Sequence, residues 1–246
     1  MHRFFVPHSN VKDKKVYITD KNELRHIEKV LRLGVGDKAI VFDGQGGEYE
    51  VTIAEIDKDS CLAIIDNEII NAEESKIHLS LIQGIAKGDK MDTIVQKAVE
   101  VGVSSIYPIL TEHTVVKLDT EKSIKKVQRW QSIAIEACKQ CRRNTIPKVY
   151  PITTWERILP ELTGKVGVML YEGENKLSLR DFLQANNLKG EIFIIVGPEG
   201  GFSDQEVAKA RDNGILIVTM GQRILRTETA GLVGAAIVLY EAGDLG

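Results

Sequence analysis

The chain has 246 residues, of which 43% are hydrophobic and 27% charged, and its formal net charge is −3. This composition is typical of a globular protein with one large or two modest domains, and the acidic balance argues against a general nucleic-acid binder. No apolar run approaches the roughly 18 residues that span a bilayer. Because the N-terminus also lacks a signal-peptide pattern, we expect a cytoplasmic protein.

Residues 1–72 predict a small β-rich domain. Short alternating or apolar runs are separated by turn signals, and the glycine-rich segment 43–47 predicts a hairpin between two of them. The predicted strands are 15–19, 38–42, 48–56 and 61–67. A helical pattern at 21–31 interrupts the series. The polar segment at 71–75 separates this domain from a second one at 73–246.

From residue 76 onward strands and helices alternate, which predicts a mostly parallel α/β sheet. We expect strands at 77–83, 106–110, 166–171, 192–196 and 215–220, and helices at 91–101, 121–141, 155–162, 178–187 and 203–213. The strand at 192–196 is an unbroken apolar run, as a strand buried on both faces requires. Ser203 and Glu206 have capping-box spacing at the start of the following helix.

Positive charge is concentrated in one segment. Residues 117–148 hold nine Lys or Arg against three Asp or Glu. In an otherwise acidic chain this segment is a candidate phosphate-contacting surface. A solvated helix face explains the same pattern, so both interpretations stay open here.

Three loops follow predicted strands, at 171–173, 197–201 and 221–229. The second loop, Gly197-Pro198-Glu199-Gly200-Gly201, has three glycines in five residues, which lets its backbone approach a ligand closely. Open α/β sheets bind ligands at the carboxyl ends of their strands. We therefore expect the three loops to enclose one ligand.

Several common catalytic patterns are absent from the sequence. There is no dinucleotide-binding, P-loop, zinc-protease or nucleophile-elbow motif. The five histidines have no metal-ligand spacing, and no metal site is expected. Cys138 and Cys141 form a lone pair late in a helix, which indicates unreactive thiols. Because Glu199 would repel phosphate, the Gly-rich loop better suits a neutral or cationic adenosine-like ligand than a polyphosphate.

Two blocks resemble the signature loops of the SPOUT methyltransferases: GPEGGFSDQEV at 197–207 and MGQRILRTETA at 220–230. Within that superfamily the chain resembles the RsmE family, which methylates N3 of a uridine in 16S ribosomal RNA. The segments 1–5, 31–50, 87–114 and 129–151 agree with that family in order and spacing. The chain departs from it at His113, where the family often has an arginine.

The resemblance implies an N-terminal PUA-like RNA-binding β-barrel and a C-terminal SPOUT domain. That domain would be a mostly parallel sheet with a trefoil knot and helices on both faces. The cofactor would be S-adenosyl-L-methionine, the substrate the 16S rRNA of the small ribosomal subunit, and the assembly a homodimer.

The cofactor would be held by the knotted loops. The implied residues are Tyr171, Glu172, Val196, Gly197, Pro198, Glu199, Gly200, Gly201, Met220, Gly221, Ile224, Leu225, Arg226, Thr227 and Thr229. Capping of the last helix is a second interpretation of the two threonines.

Methylation of uracil N3 requires loss of its proton, which moves negative charge onto the flanking carbonyl oxygens. One fixed donor aimed at such an oxygen is worth about 2.7–4 kcal/mol. Arg226 is the first candidate and Arg143 the second, although a structural ion pair to Glu228 or Glu199 also explains Arg226. The proton acceptor would be Glu228, Glu199 or water.

RNA contacts are expected from basic and polar side chains on both domains. They are Arg3, Arg32, Lys87, Lys90, Arg129, Gln140, Arg142 and Arg143. A single basic strip predicts weak, salt-dependent binding to free RNA and hence an assembled small subunit as the substrate. The alternatives are a SPOUT enzyme acting at another RNA position, a catalytically silent assembly factor and a nucleotide-binding regulatory domain.

Overall fold

A computed structural model describes residues 1–70, 75–115, 119–186 and 188–245 of the chain. The chain forms two compact units. The first comprises Met1–Glu74 with Cys138–Ile146, and the second comprises Ser75–Ala137 with Pro147–Gly246. No helix within the described residues has both the length and the apolar character that crossing a bilayer requires.

Within the described residues, the first unit contains six strands, one short α-helix and a 3-10 turn at His8–Asn10. In chain order the strands and the α-helix are β1 (Arg3–Phe5), β2 (Val11–Lys12), β3 (Lys15–Ile18), α1 (Lys21–Arg25), β4 (Lys38–Phe42), β5 (Glu48–Ile56) and β6 (Cys61–Glu68). The strands form one sheet in the order β1-β4-β5-β6-β3-β2. Asp20 is the N-cap of helix α1, and its side chain accepts from two backbone N–H groups. The helix continues as a π-helical turn, His26–Leu31.

The sheet of the first unit surrounds one apolar core, to which Phe4, Val41 and Val51 contribute fully buried side chains. The four predicted strands and the hairpin at 43–47 are confirmed. Strands β1 and β2 were missed because two or three residues show no periodicity. The backbone of Ile146 donates to the carbonyl of Gly44 at 3.0 Å, which joins the segment 138–146 to this unit.

The second unit contains seven strands and six helices within the described residues. In chain order these are β7 (Ile77–Gly84), α2 (Lys90–Val101), β8 (Ser105–Leu110), α3 (Thr120–Cys141), β9 (Lys148–Val149), β10 (Thr153–Thr154), α4 (Trp155–Ile158), β11 (Val166–Leu170), α5 (Leu179–Ala185), β12 (Gly190–Val196), α6 (Asp204–Asp212), β13 (Leu216–Val218) and α7 (Thr227–Glu241). The last residues of α3 belong to the first unit.

The sheet of the second unit has the order β10-β8-β7-β12-β11-β13, and β9 also pairs with β8. Every strand pairing described in it is parallel, which confirms the predicted sheet type. The two-residue strands β9 and β10 were missed, because they are too short for a pattern. The other strands and helices occur where the sequence predicts them, within a few residues.

Helices cover both faces of this sheet, as predicted. Phe193 and Ile195 of β12 pack in one cluster with residues of α4 and α6. The alternate residue Ile194 faces α7, since a Cβ placed on Gly234 would lie 3.8 Å from it. Side chains alternate between the faces of a strand, so β12 is buried on both sides.

The parallel pairing places several strand ends at one edge of the sheet. Gln83 of β7 is in register with Val196 of β12, and Leu170 of β11 is in register with both Val196 and Val218 of β13. The loops that follow these strands are therefore neighbours in space.

Candidate active site

The loops after β11 and β13 enclose a cavity of about 360 Å³. Its wall combines apolar side chains with carboxylates and main chain, which suits a ligand with one flat apolar part and several polar groups. The lining residues are Leu170, Tyr171, Glu172, Glu174, Asn175, Thr219, Met220, Gly221, Gln222, Arg223, Ile224, Leu225 and Ala230.

A second cavity of about 360 Å³ lies between the Gly-rich loop after β12 and the start of α7. Its lining residues are Lys90, Leu170, Glu172, Val196, Gly197, Pro198, Glu199, Gly201, Ile224, Leu225, Arg226, Thr227 and Ala230. The two cavities adjoin, because Leu170, Glu172 and Leu225 belong to both walls. The three predicted loops thus meet around one compound pocket.

The predicted cofactor residues line one or both cavities, except Gly200 and Thr229. The Gly200 carbonyl accepts a hydrogen bond from His113 Nδ1 at 2.8 Å, and Thr229 is exposed in the first turn of α7. The sequence reasoning missed Ala230, which follows Thr227 by three residues. Helical spacing places those two on one face, and that spacing is the signal that would have found it.

Two interactions of Glu206 position the Gly-rich loop. As predicted, Ser203 and Glu206 form a capping box at the start of α6. Buried Glu206 also accepts a hydrogen bond from the backbone N–H of Glu112 at 2.9 Å. The loop that carries His113 is thereby tied to the segment that follows Gly201.

Gly201 has a backbone φ of +67°, and a Cβ built there would lie 2.5 Å from Glu172 Oε1. A side chain at this position would be strained by the backbone and would displace the Glu172 carboxylate. Glycine at position 201 therefore allows Glu172 to lie against the Gly-rich loop.

Thr227 is the first residue of α7 and is buried, while Arg226 precedes it as the N-cap. The Thr227 hydroxyl donates to the Gly197 carbonyl at 2.6 Å. No side chain caps this helix. The capping interpretation of Thr227 and Thr229 is therefore wrong, because the N-cap position is Arg226 and both threonines lie inside the helix.

Lys90, Glu199 and Glu228 form a charged cluster at the second cavity. The Lys90 ammonium lies 3.1 Å from Glu199 Oε1 and 3.3 Å from Glu228 Oε2. Hydrogen bonding to Glu199 raises the pKa of Lys90. Partial burial raises the pKa of Glu199, but hydrogen bonds from its own N–H, Lys90 and Lys87 outweigh burial and lower it. Its own backbone N–H and Lys90 lower the pKa of Glu228. Both carboxyls are therefore ionised near neutral pH.

Arg226 lines the second cavity with an exposed side chain. Among the described residues its guanidinium makes no hydrogen bond or ion pair, although its charge contributes to lowering the pKa of Glu228. The alternative of a structural ion pair to Glu228 or Glu199 is thus not borne out. Its donors are left available to a ligand.

Several predicted RNA-binding residues lie in the first unit. The Arg3 side chain is 9% exposed and donates to Glu48 and to the carbonyls of Cys138 and Arg143. Arg143, the second catalytic candidate, is half-buried in this unit. The remaining predicted contacts here are exposed: Arg32, Gln140 and Arg142.

The other predicted RNA contacts lie in the second unit. Arg129 of α3 donates to Asp92 of α2, with Nε at 2.9 Å from Oδ2, and Lys87 is exposed. Exposed ion pairs of this kind contribute little to stability and exchange readily for another anion. The RNA roles of these residues and of Lys90 stay predictions.

No group of three or more His, Cys, Asp or Glu is placed to hold a metal ion within the described ranges. The charged groups of the pocket are its carboxylates, Lys90 and the exposed guanidiniums of Arg223 and Arg226.

Comparisons with known proteins agree with this geometry. The family model described as an RNA methyltransferase domain matches residues 73–239, and the model of an RNA methyltransferase PUA domain matches residues 18–66. The ribosomal RNA small subunit methyltransferase E of Bacillus subtilis is 30% identical over 98% of this chain and 97% of that protein.

Two solved structures are also similar over nearly their whole length. The ribosomal RNA small subunit methyltransferase E of Neisseria gonorrhoeae, bound to S-adenosyl methionine, is 37% identical with a TM-score of 0.86, covering 96% of each chain. A putative methyltransferase from Legionella pneumophila, in complex with the same cofactor, is 31% identical with a TM-score of 0.85, also covering 96% of each chain. The chain therefore belongs to the RNA methyltransferase family, in the group of the ribosomal RNA small subunit methyltransferase E proteins.

Proposed function

We propose that this protein transfers a methyl group from S-adenosylmethionine to N3 of a uridine in 16S rRNA. The observation that carries the proposal is the compound pocket. It places the Gly-rich loop, the start of α7 and the open Arg226 guanidinium around one space. The similarity to the small subunit methyltransferase E proteins supports the choice of substrate.

The residues of the pocket fit the chemistry of this cofactor. Leu170, Leu225 and Ala230 offer an apolar slot for an adenine ring, and Glu172 offers an acceptor for ribose hydroxyls. The carboxylates Glu172 and Glu199 favour a ligand that carries positive charge. When bound, the cofactor supplies an electrophilic methyl group on a sulfonium sulfur.

Arg226 stabilises the negative charge that the uracil carbonyl oxygens acquire when N3 loses its proton. Glu228 follows Arg226 by two residues and is ionised, so it accepts the proton or orders the water that does. Because the Lys90 ammonium pairs with both Glu199 and Glu228, the two carboxylates can lie close to each other while both stay ionised.

We further propose that the active form is a homodimer. Val233, Ile237 and Tyr240 are exposed, and their spacing places them along one side of α7. A second copy of the chain covering this stripe would bury it. The substrate would be a folded small ribosomal subunit in the cytoplasm, since phosphate contacts alone carry little sequence information.

The test is methyl transfer from labelled S-adenosylmethionine to small subunits from a strain that lacks the enzyme, with mass spectrometry of the digested nucleosides. We expect the label in 3-methyluridine. Label in another nucleoside would retain the methyl transfer but assign a different position. Cofactor binding without any transfer would favour a silent assembly factor, and ATP binding without S-adenosylmethionine binding a regulatory domain.

A further inference from the structure

Gln83 is a fully buried polar side chain to which the proposed reaction assigns no role. It lies near the end of β7, in register with Val196. Its Nε2 donates to Thr227 Oγ1 at 2.9 Å and to the Gly84 carbonyl at 3.0 Å. The Thr227 hydroxyl in turn donates to the Gly197 carbonyl at 2.6 Å. A directional chain of hydrogen bonds thus runs from β7 through the start of α7 to the Gly-rich loop.

The partners allow only one orientation of the Gln83 amide. The carbonyl oxygens of Gly84 and Gly197 lie 3.0 and 3.5 Å from Nε2, and a carbonyl oxygen can only accept. The Thr227 proton is already used by Gly197, so Thr227 Oγ1 must accept. Reversing the amide would place Oε1 against two carbonyl oxygens that cannot donate to it.

This arrangement leaves the other end of the amide unsatisfied. Gln83 Oε1 is buried, has no hydrogen-bond partner among the described residues, and lies 3.3 Å from where a Cβ on Gly231 would be. A buried amide oxygen without a partner destabilises the folded state. This cost offsets much of what the two hydrogen bonds of Nε2 contribute, so Gln83 adds little to the stability of the fold. Departures of this kind are expected where function constrains the residue.

We propose that Gln83 is a positioning residue, which holds the first turn of α7 against the Gly197 carbonyl and so sets how Arg226 and Glu228 face the target base. Thr227 stands between those two residues in the chain, so fixing its hydroxyl fixes both of its neighbours. The inference rests on the proposed function, because it takes the roles of Arg226 and Glu228 from it.

The matched substitution is Gln83→Met, which keeps the length of the side chain and removes its donors. We expect kcat for methyl transfer to small subunits to fall about ten- to a hundredfold, the range for misaligned reacting groups. The melting temperature should change little, because losing the donor to the Gly84 carbonyl offsets the gain from removing the unsatisfied Oε1. The Kd for S-adenosylmethionine, measured by calorimetry, should change less than kcat.

Two further variants separate positioning from general stability. Gln131→Met removes a comparable tether in the same unit, where Gln131 bonds the Pro147 carbonyl and the Val149 N–H at 3.0 and 2.9 Å. It should lower the melting temperature and leave kcat unchanged. Thr227→Val breaks the Gln83 chain from its other end. If the chain acts as one unit, the double variant should be no slower than the slower single variant.

An unchanged kcat in folded Gln83→Met or Thr227→Val would overturn the inference, as would a full additivity of their effects. If the unaltered protein transfers no methyl group to small subunits, the proposed function fails, and the positioning claim is decided by hydrogen exchange. We then expect faster exchange of the α7 N-terminal amides in Gln83→Met than in Gln131→Met. Equal exchange in the two would reject the claim.

Discussion

Two arginines in the two units of this protein have opposite surroundings. In the first unit, Arg3 has a side chain only 9% exposed, and it donates to Glu48 and to two backbone carbonyls. At the start of α7, Arg226 is exposed and makes no hydrogen bond or ion pair with the described residues. A guanidinium whose acceptors are all internal supports the fold, whereas one without internal acceptors is available to a ligand.

The difference follows from where each arginine stands in its secondary structure. The last turn of α3 and the residues after it present backbone carbonyls, and those of Cys138 and Arg143 accept from Arg3. A helix N-terminus presents unpaired N–H groups and positive partial charge instead. An arginine at the N-cap of α7 therefore finds no backbone acceptor and is disfavoured there for stability. An anionic substrate would reverse that disadvantage.

The largest effect on stability is expected when Arg3, the enclosed arginine, is replaced. Arg3→Met removes the guanidinium that donates to Glu48 and to two backbone carbonyls, and removing one partner of a buried ion pair costs about 3–5 kcal/mol. We expect the unfolding transition of the first unit, followed by urea and circular dichroism, to move accordingly. Arg25→Ala, at an exposed position in the same unit, should change it by less than about 0.5 kcal/mol. A small loss in Arg3→Met would show that its contacts are not what holds the unit.

For Arg226, the exposed arginine, we expect a loss of activity without a loss of stability. Arg226→Ala should lower kcat/KM about 100- to 1000-fold, as loss of one charge-stabilising donor does, without lowering the melting temperature. The kcat/KM of Arg226→Lys should lie between those of Arg226→Ala and the unaltered protein, because an ammonium keeps the charge but lacks the forked donors of a guanidinium. Arg157→Ala, at an exposed position in α4, serves as the control and should retain full activity. Stability loss in Arg226→Ala would instead indicate a structural role.

Gly201→Ala tests whether Glu172, which lines both cavities, takes part in cofactor binding. Its φ of +67° and that of Gly190, +71°, disfavour any side chain equally, by about 1–2 kcal/mol each. Only at Gly201 would the new Cβ meet Glu172, since nothing lies within 4 Å at Gly190. We expect both variants to lose similar stability but only Gly201→Ala to bind S-adenosylmethionine more weakly in calorimetry. Equal affinity in both would exclude Glu172 from the cofactor site.

The smallest effect is expected on the pH dependence of activity, which the charged cluster of Lys90, Glu199 and Glu228 controls. Lys90 helps to keep the pKa of Glu199 and Glu228 low, so removing its charge in Lys90→Met should raise both. The acid limb of kcat/KM should therefore shift to higher pH, while activity at neutral pH changes less. Lys97→Met removes an ion pair with Glu100 from the same helix and should leave the profile in place. An equal shift in both variants would indicate that the loss of any positive charge on α2 moves the profile, and not the loss of the contacts in this cluster.

The sequence predicts best those structural features that depend on residues close together in the chain. The apolar run 192–196 and the capping box of Ser203 and Glu206 involve residues close in the chain, and both are confirmed. Strands of two residues carry no such pattern and were missed. The joining of residues 138–146 to the first unit was missed too, because the carbonyls that receive Arg3 are 135 to 140 residues away from it.

The sequence alone determined the alternation of strands and helices, the three loops at the strand ends and the family to which the loops belong. These follow from periodicity, turn chemistry and two short motifs. Only the tertiary structure decided which polar groups are neutralised within the protein and which stay open. It pairs Lys90 with Glu199 and Glu228, buries Gln83 against Thr227, encloses Arg3 and gives Arg226 no partner among the described residues. The physical reason is that burial and hydrogen bonding depend on neighbours in space, which residue type and spacing in the chain do not specify.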